Sequence, residues 1–163
     1  MRLNQCQSFT VATDPMRAIL TALLLTFASQ AAAECGKLCD DDWWKTATTA
    51  NVQAELSGGA DVMARNKYGT KPLHWAASGG TPANIQALLA AGADVMARNE
   101  YGRTPLHLAA QFGTSANIQA LLAAGADAKA KNKEGKSPWD LAQKNEKLKG
   151  TKGYWALNDA QYN

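Results

Sequence analysis

The residues best suited to chemistry are two histidines, His74 and His107, which occupy equivalent places in two copies of the local sequence Pro-Leu-His. Histidine serves as a general base and as a metal ligand at neutral pH. Neither histidine is accompanied by a recurring serine or cysteine nucleophile, a phosphate-binding loop or converging carboxylates. The sequence therefore predicts no catalytic residue, no metal site and no cofactor, and a protein that is not an enzyme.

Cysteine chemistry is concentrated near residue 35, where Cys35 and Cys39 lie four positions apart. In an oxidising compartment two thiols this close could form a short-loop disulfide, and we expect that pairing. A lipid anchor on Cys35 is an alternative, which Glu34 weakens because the residue before a lipidated cysteine is normally small. A metal site is a weaker alternative, since two cysteines without nearby histidines supply only half of a tetrahedral ligand set.

An export signal precedes these cysteines. Residues 18–28 form an apolar run, and three alanines follow at 31–33, which is the pattern of a secretory signal peptide. Cleavage there would leave Glu34 as the first mature residue, and translation could begin at Met16. A buried helix is the alternative interpretation of the apolar run. We expect a signal peptide over residues 1–33 and a periplasmic or secreted protein.

The composition is that of one globular domain. The chain of 163 residues is 46% hydrophobic and 19% charged, which excludes a solvated disordered chain. No apolar run reaches the ~18 residues that a membrane span needs. The formal net charge of +3 is too small to require nucleic acid. We expect a monomer without an integral membrane span and without a nucleic-acid partner.

A repeat of 33 residues organises the chain after the signal peptide. Residues 59–91 align with residues 92–124 without gaps and match at 26 of 33 positions, and a decayed copy begins at Gly125. We expect an N-terminal cap with a partial repeat, two full repeats, a degenerate C-terminal capping repeat and a tail. Their predicted ranges are 34–58, 59–91, 92–124, 125–157 and 158–163.

Each full repeat has the pattern of a turn followed by two antiparallel helices. Pro72 and Pro105 suit the first position of a helix, where no backbone donor is needed, and Gly80 and Gly113 can end that helix. The next stretch carries isoleucine and leucine on one stripe. Such a unit buries its apolar face only by stacking on its neighbours, so we expect a shared core that contains Leu88, Leu89, Leu121 and Leu122.

The sequences Lys71-Pro-Leu-His-Trp-Ala and Thr104-Pro-Leu-His-Leu-Ala stand where the ankyrin motif Thr-Pro-Leu-His-x-Ala would be, and with the period of 33 they resemble the ankyrin repeat family. The resemblance covers about residues 40–157 and implies an all-α solenoid of stacked helix-turn-helix repeats with β-turn fingers. It also implies that His74 and His107 hydrogen-bond the turns of adjacent repeats. The third copy departs from the motif and reads Ser137-Pro-Trp-Asp-Leu-Ala.

The same resemblance implies a surface for a protein partner. The two full repeats differ at seven positions, and most of them fall where ankyrin-like domains form a concave face from turn tips and inner helices. Tyr68, Tyr101 and Phe112 are large aromatic residues, a type that often anchors interfaces. The predicted contact residues are Lys67, Tyr68, Thr70, Glu100, Tyr101, Arg103, Gln111 and Phe112, and charge preference is expected from Arg65, Lys67, Arg98 and Arg103.

Two other functions stay open at the level of sequence. One is a structural accessory of an envelope assembly. The other is binding of an anionic ligand through lysines in the C-terminal segment, although a solvated lysine face is commoner than a binding patch. These lysines are Lys129, Lys131, Lys133, Lys136, Lys144, Lys147, Lys149 and Lys152.

Export gives a first testable prediction. N-terminal sequencing of protein recovered from the periplasm or medium should begin at Glu34 or within about two residues of it, because the small residues at 31–33 suit signal peptidase. Soluble cytoplasmic protein that keeps Met1 or Met16 would contradict the prediction.

Overall fold

The computed structural model describes residues 36–162, which contain eight α-helices and no β-strand. The helices form four successive pairs after a short 3₁₀ helix, Lys37–Cys39. They are α1 (Asp41–Trp44), α2 (Thr49–Ser57), α3 (Pro72–Gly79), α4 (Pro82–Ala90), α5 (Pro105–Phe112), α6 (Ser115–Ala123), α7 (Pro138–Ala142) and α8 (Lys152–Ala160). The predicted all-α solenoid is confirmed.

Two sequence predictions fall on residues that the structure does not describe. The signal peptide over 1–33 lies outside the described residues, as does Cys35. Cys39 is disulfide-bonded, but the pairing of Cys39 with Cys35 stays a prediction. Within residues 36–162, no helix has the length and apolar character needed to cross a membrane.

Each helix pair begins at positions that the sequence marks clearly. Proline occupies the first turn of α3, α5 and α7, where its missing N–H costs nothing. The outer helices α4 and α6 begin after Thr81 and Thr114, whose hydroxyls accept hydrogen bonds from the backbone N–H of Asn84 and Asn117. These side chains satisfy donors that a helix end otherwise leaves without partners.

The helix pairs share one continuous core. Leu73 and Leu106 of the inner helices and Ile85 and Ile118 of the outer helices are essentially inaccessible to solvent and belong to a single cluster. Among the four leucines predicted for this core, Leu88 and Leu121 are completely buried. Leu89 and Leu122 are partly buried and pack against the cluster from its edge. The repeats therefore share one core, and none of them has a core of its own.

A tight turn precedes each inner helix, and these turns are the fingers of the array. At the first finger, Asn66 accepts hydrogen bonds through Oδ1 from the N–H groups of Tyr68 (2.9 Å) and Thr70 (3.1 Å). Gly69 follows with φ of 68°, a left-handed conformation that glycine adopts without strain. Asn99 with Gly102, and Asn132 with Gly135, repeat the arrangement.

The cap before the first full repeat rests on Trp44. This side chain is buried, and its Nε1–H donates to the carbonyl oxygen of Leu38 at 2.9 Å. Its ring lies against Gly80, where an added Cβ would approach Trp44 to 3.2 Å. Asp40 caps α1 by accepting from the N–H of Asp42. Trp44 thus closes the core of the described residues at the predicted N-terminal cap.

The last repeat differs from the predicted one. Helix α7 has five residues, and the chain then forms turns before α8 begins at Lys152, so α8 continues to Ala160, past the predicted end of the repeat at 157. Leu148, in the connection, is buried and belongs to the core. Asn145 donates from Nδ2 to the carbonyl oxygen of Ala110 at 3.3 Å. The longer connection moves the start of the outer helix to Lys152, but the outer helix, α8, is present.

Candidate functional site

A groove of about 600 Å³ runs between the fingers and the inner helices. Five of the eight predicted contact residues line it, namely Tyr68, Thr70, Tyr101, Arg103 and Phe112. Trp75 and Leu108, which occupy equivalent positions on α3 and α5, form part of its wall. We call it the concave groove.

Three exposed aromatic side chains give the concave groove its apolar character. Tyr68, Tyr101 and Phe112 are 43%, 52% and 60% exposed, respectively. The rings of Tyr68 and Tyr101 lie on neighbouring fingers with their centroids 6.3 Å apart. Aromatic residues that remain this exposed in a folded monomer are available to pack against another molecule.

Arg103 is fixed beside these aromatic rings. Its Nη1 donates to Oε1 of Gln111 at 3.1 Å, and its Nη2 pairs with the carboxylate of Glu134 at 3.3 Å. The guanidinium also lies 5.8 Å from the centroid of the Tyr101 ring. Three elements thus hold one cation in place: finger two, helix α5 and finger three.

Two buried hydrogen-bond donors among the groove residues have no acceptor. Within residues 36–162, Nε1 of Trp75 and Nε of Arg103 are inaccessible to solvent and unpaired. Buried polar groups in native proteins nearly always have partners, so unpaired donors at a groove call for an explanation. Because no water-sized atom reaches either nitrogen, a bound molecule would pair with them only after neighbouring side chains move.

The other predicted contact residues lie at different places. Gln111 is half-buried and bonded to Arg103, so it acts on the concave groove through that arginine. Thr70, which does line the concave groove, is buried, with only 6% of its surface exposed. Lys67 and Glu100 do not line the concave groove; they line a second groove of about 520 Å³ beside the fingers.

The histidines hold the fingers in position. Nδ1 of His74 accepts from the N–H of Lys71 at 3.2 Å, which requires Nε2 to carry the ring proton. Nε2 then donates to the carbonyl oxygen of Arg103, on the next finger, at 3.0 Å. His107 repeats this pattern between Thr104 and the carbonyl oxygen of Lys136. The implied bonds from the histidines to adjacent turns are thus present.

These bonds require neutral imidazole rings. Burial lowers the pKa of His74 from 6.5 to about 4, although its hydrogen bond to Arg103 opposes that effect. Burial also lowers the pKa of His107. A proton on Nδ1 would remove the acceptor for the backbone N–H that each ring now binds. The histidines therefore act as structural connectors at neutral pH.

The last repeat replaces the histidine with Asp140. Its carboxylate accepts from the N–H and the hydroxyl of Ser137, at 2.7 and 2.8 Å. These hydrogen bonds lower the pKa of Asp140. A histidine at this position would donate to a carbonyl oxygen of the next finger, as His74 and His107 do. Residues 143–162 form no such finger. The substitution suits the end of the array.

Sequence reasoning missed the buried asparagines that link the repeats. Nδ2 of Asn117 donates to the carbonyl oxygens of Ala77 (3.1 Å) and Gly80 (3.0 Å) in the preceding repeat. Nδ2 of Asn84 donates to Ala47 at 3.0 Å. Their recurrence at one period was visible in the sequence, but polar helix residues are usually exposed. The signal would have been an asparagine that recurs next to the leucine stripe.

The cap residues in the concave groove were also missed. Asp41 and Lys45 come from the first helix pair, and Lys147 comes from the last connection. None of the three belongs to either of the two full copies, whose comparison gave the predicted contact residues. Comparing repeats could identify only residues of the two full copies.

The C-terminal lysines do not form one patch of free cations. Lys131, Lys136 and Lys149 pair with Asp140, Glu134 and Glu146, and Lys147 lines the concave groove. Lys129, Lys133, Lys144 and Lys152 are exposed and take part in no ion pair of residues 36–162. In residues 36–162 there is also no group of three or more histidine, cysteine, aspartate or glutamate side chains placed to hold a metal ion.

Comparison with known proteins agrees with this geometry. Residues 46–148 match the family model for ankyrin repeats in three copies. That range begins in the cap and ends in the connection before α8. No curated protein matches the chain.

The buried histidines make stability depend on pH. The folded state disfavours protonation of His74, whose pKa is about 4 against 6.5 in the unfolded chain. The stability from its neutral ring is therefore present above pH 6.5 and is lost as the pH falls towards 4. Between pH 7 and pH 5 the free energy of unfolding should fall by about 2 kcal/mol from His74 alone. Urea unfolding at both values measures the difference.

The matched variant for this test is His74→Gln, which removes the titrating ring. Because His107 remains, the variant should keep part of the pH dependence but lose the share of His74. Carboxylates stay largely ionised above pH 5, so they contribute little in this window. An unchanged slope in the variant would contradict the assignment.

Proposed function

Since the chain belongs to the ankyrin repeat family, we propose that it is an exported, non-catalytic module that binds a protein partner in the concave groove. Ankyrin repeats are generally protein–protein interaction modules. The observation that carries the proposal is the cluster of three exposed aromatic rings within one groove.

The aromatic side chains support a protein partner with apolar groups. Tyr68, Tyr101 and Phe112 project from two fingers and the end of α5 into one volume. Large, rigid side chains of this type carry much of the binding energy at interfaces because they bury area with few rotatable bonds. A partner residue of aliphatic or aromatic type would find apolar surface on several sides.

The cations of the concave groove support a partner that also brings acceptors. Lys45, Arg103 and Lys147 line the groove, and the N–H groups of these side chains donate hydrogen bonds. Polypeptide backbone offers a carbonyl at every residue, and an acidic side chain offers a carboxylate. The concave groove thus suits a segment with an apolar side chain beside a carbonyl or carboxylate.

The fixed finger geometry further supports binding of a partner. The backbone around Tyr101 and Arg103 is held by Asn99 from within its own finger and by His74 from the preceding repeat. Binding therefore orders few groups of this chain, which reduces the entropic cost of association. A pre-formed surface of this type agrees with recognition by shape.

The same hydrogen bonds support the absence of catalysis. Both nitrogens of His74 and both nitrogens of His107 already bond to backbone groups. A general base needs a free nitrogen within reach of substrate.

The proposal of export rests on the sequence pattern of residues 18–33. If the protein is exported, its partner lies in the periplasm or outside the cell.

Two variants test the proposed surface against a matched control. Tyr101→Ala/Phe112→Ala removes two groove aromatics, whereas Gln86→Ala/Gln119→Ala removes two exposed side chains from the outer helices α4 and α6. Each immobilised protein is exposed to an envelope extract, and the affinity of any retained protein is then measured by calorimetry. The groove variant should lose at least ~2 kcal/mol of binding free energy.

Folding must be separated from binding in this experiment. Both Tyr101 and Phe112 are exposed, so thermal unfolding of the groove variant should be nearly that of the wild type. The outer-helix control should keep wild-type affinity. Equal affinity of the groove variant and the wild type, at equal stability, would exclude the concave groove as the binding surface.

A further inference from the structure

We propose that the second groove, which adjoins the concave groove at Asn66 and Asn99 of the first two fingers, binds a small polyvalent oxyanion, a ligand that carries two or more phosphate or sulfate groups. This finger-edge groove has a volume of about 520 Å³. Its side chains include four cations, Arg65, Lys67, Lys71 and Arg98, and one carboxylate, Glu100. The groove is therefore strongly positive, unlike the nearly balanced chain around it.

The four cations lack anionic partners. None of the ion pairs in residues 36–162 includes Arg65, Lys67, Lys71 or Arg98. Arg98 donates from Nη1 only to neutral acceptors, the carbonyl oxygens of Gly102 (3.1 Å) and Lys131 (2.7 Å). Like charges held together without counter-charges repel one another, so an anion that enters the groove relieves that repulsion.

Neutral donors add to this set. The Oδ1 atoms of Asn66 and Asn99 are occupied by backbone N–H groups of their own fingers. Both residues line the finger-edge groove, and within the described residues neither Nδ2 group donates a hydrogen bond. Phosphate and sulfate oxygens accept several hydrogen bonds at once, which matches a site of cations and amide donors.

The number of charges favours a polyvalent ligand over a single carboxylate. Four cations against Glu100 leave three positive charges within one groove. A monovalent anion would leave most of that charge uncompensated, whereas two phosphate or sulfate groups would nearly balance it. Arg98 is tied to the second and third fingers, so part of the site is fixed before a ligand arrives.

The C-terminal lysines are weaker candidates for the same chemistry. Three of the eight, Lys131, Lys136 and Lys149, have carboxylate partners. The other five have no ion pair within residues 36–162, but neither groove gathers them: Lys147 alone lines the concave groove, and none of the eight lines the finger-edge groove. Anion binding, left open for the C-terminal segment at the level of sequence, is thus assigned to the first two fingers.

Calorimetry with two probes tests the proposal at low ionic strength. Inorganic tripolyphosphate supplies clustered phosphates, and sucrose octasulfate supplies clustered sulfates. The variant Arg65→Gln/Lys67→Gln removes two exposed cations from the groove, and Lys144→Gln/Lys152→Gln removes the same charge from the C-terminal segment. We expect the groove variant to bind at least ~10-fold more weakly than wild type, and the control to change by less than about threefold.

A third variant should act in the opposite direction. Glu100→Gln removes the only carboxylate of the groove and should tighten binding, because it adds one net positive charge without adding a contact. None of the changed side chains is buried, so thermal unfolding should stay close to that of the wild type for all three variants.

The outcomes separate clearly. Tighter binding of tripolyphosphate identifies a phosphorylated ligand, and tighter binding of the sulfated sugar identifies a sulfated one; either supports the site. Failure of both probes to bind at millimolar concentration would overturn it, as would equal losses in the groove and control variants. The concave variant Tyr101→Ala/Phe112→Ala should bind both probes normally, so this test does not depend on the protein partner.

Discussion

The hydrogen bond from a buried histidine to the next finger is the constraint on which both grooves depend. His74 sits at the start of an inner helix and reaches across the repeat boundary to the carbonyl oxygen of Arg103 at 3.0 Å. The bond joins the repeats where the chain is least regular. Without it, the hydrogen bonds between the first two fingers within residues 36–162 would be reduced to the one from the N–H of Glu100 to the carbonyl oxygen of Tyr68.

Each of the first two fingers contributes side chains to both grooves. Tyr68 and Tyr101 line the concave groove, while Lys67 and Glu100, their immediate neighbours, line the finger-edge groove. The two surfaces meet at the first finger, where Nζ of Lys67 lies 5.0 Å from the centroid of the Tyr68 ring. Adjacent residues at the tip of one rigid turn can therefore serve two ligands of different chemistry. The repeats supply a constant scaffold, and side chains that change between copies determine what each side presents.

Much of this was predictable from sequence because packing in repeats is periodic. The recurring Pro-Leu-His and the leucine pairs gave the helices and their core. The side of the finger on which Lys67 lies was not predictable, since a turn has no period from which direction can be inferred. The late start of α8 was hidden for the same reason: residues 143–151 carry no helical pattern, and only the structure shows Leu148 completing the core.

Hydrogen exchange at the amides of Glu100 and Lys133 measures whether the fingers are as rigid as the helices. These N–H groups join neighbouring fingers by donating to the carbonyl oxygens of Tyr68 and Tyr101, both at 3.0 Å. If the fingers are rigid, both amides should exchange as slowly as amides in the middle of α3 and α5, although the side chains around them are exposed. Exchange as fast as in an unstructured loop would show that the fingers open independently of the helices and that the histidine hydrogen bonds do not fix them.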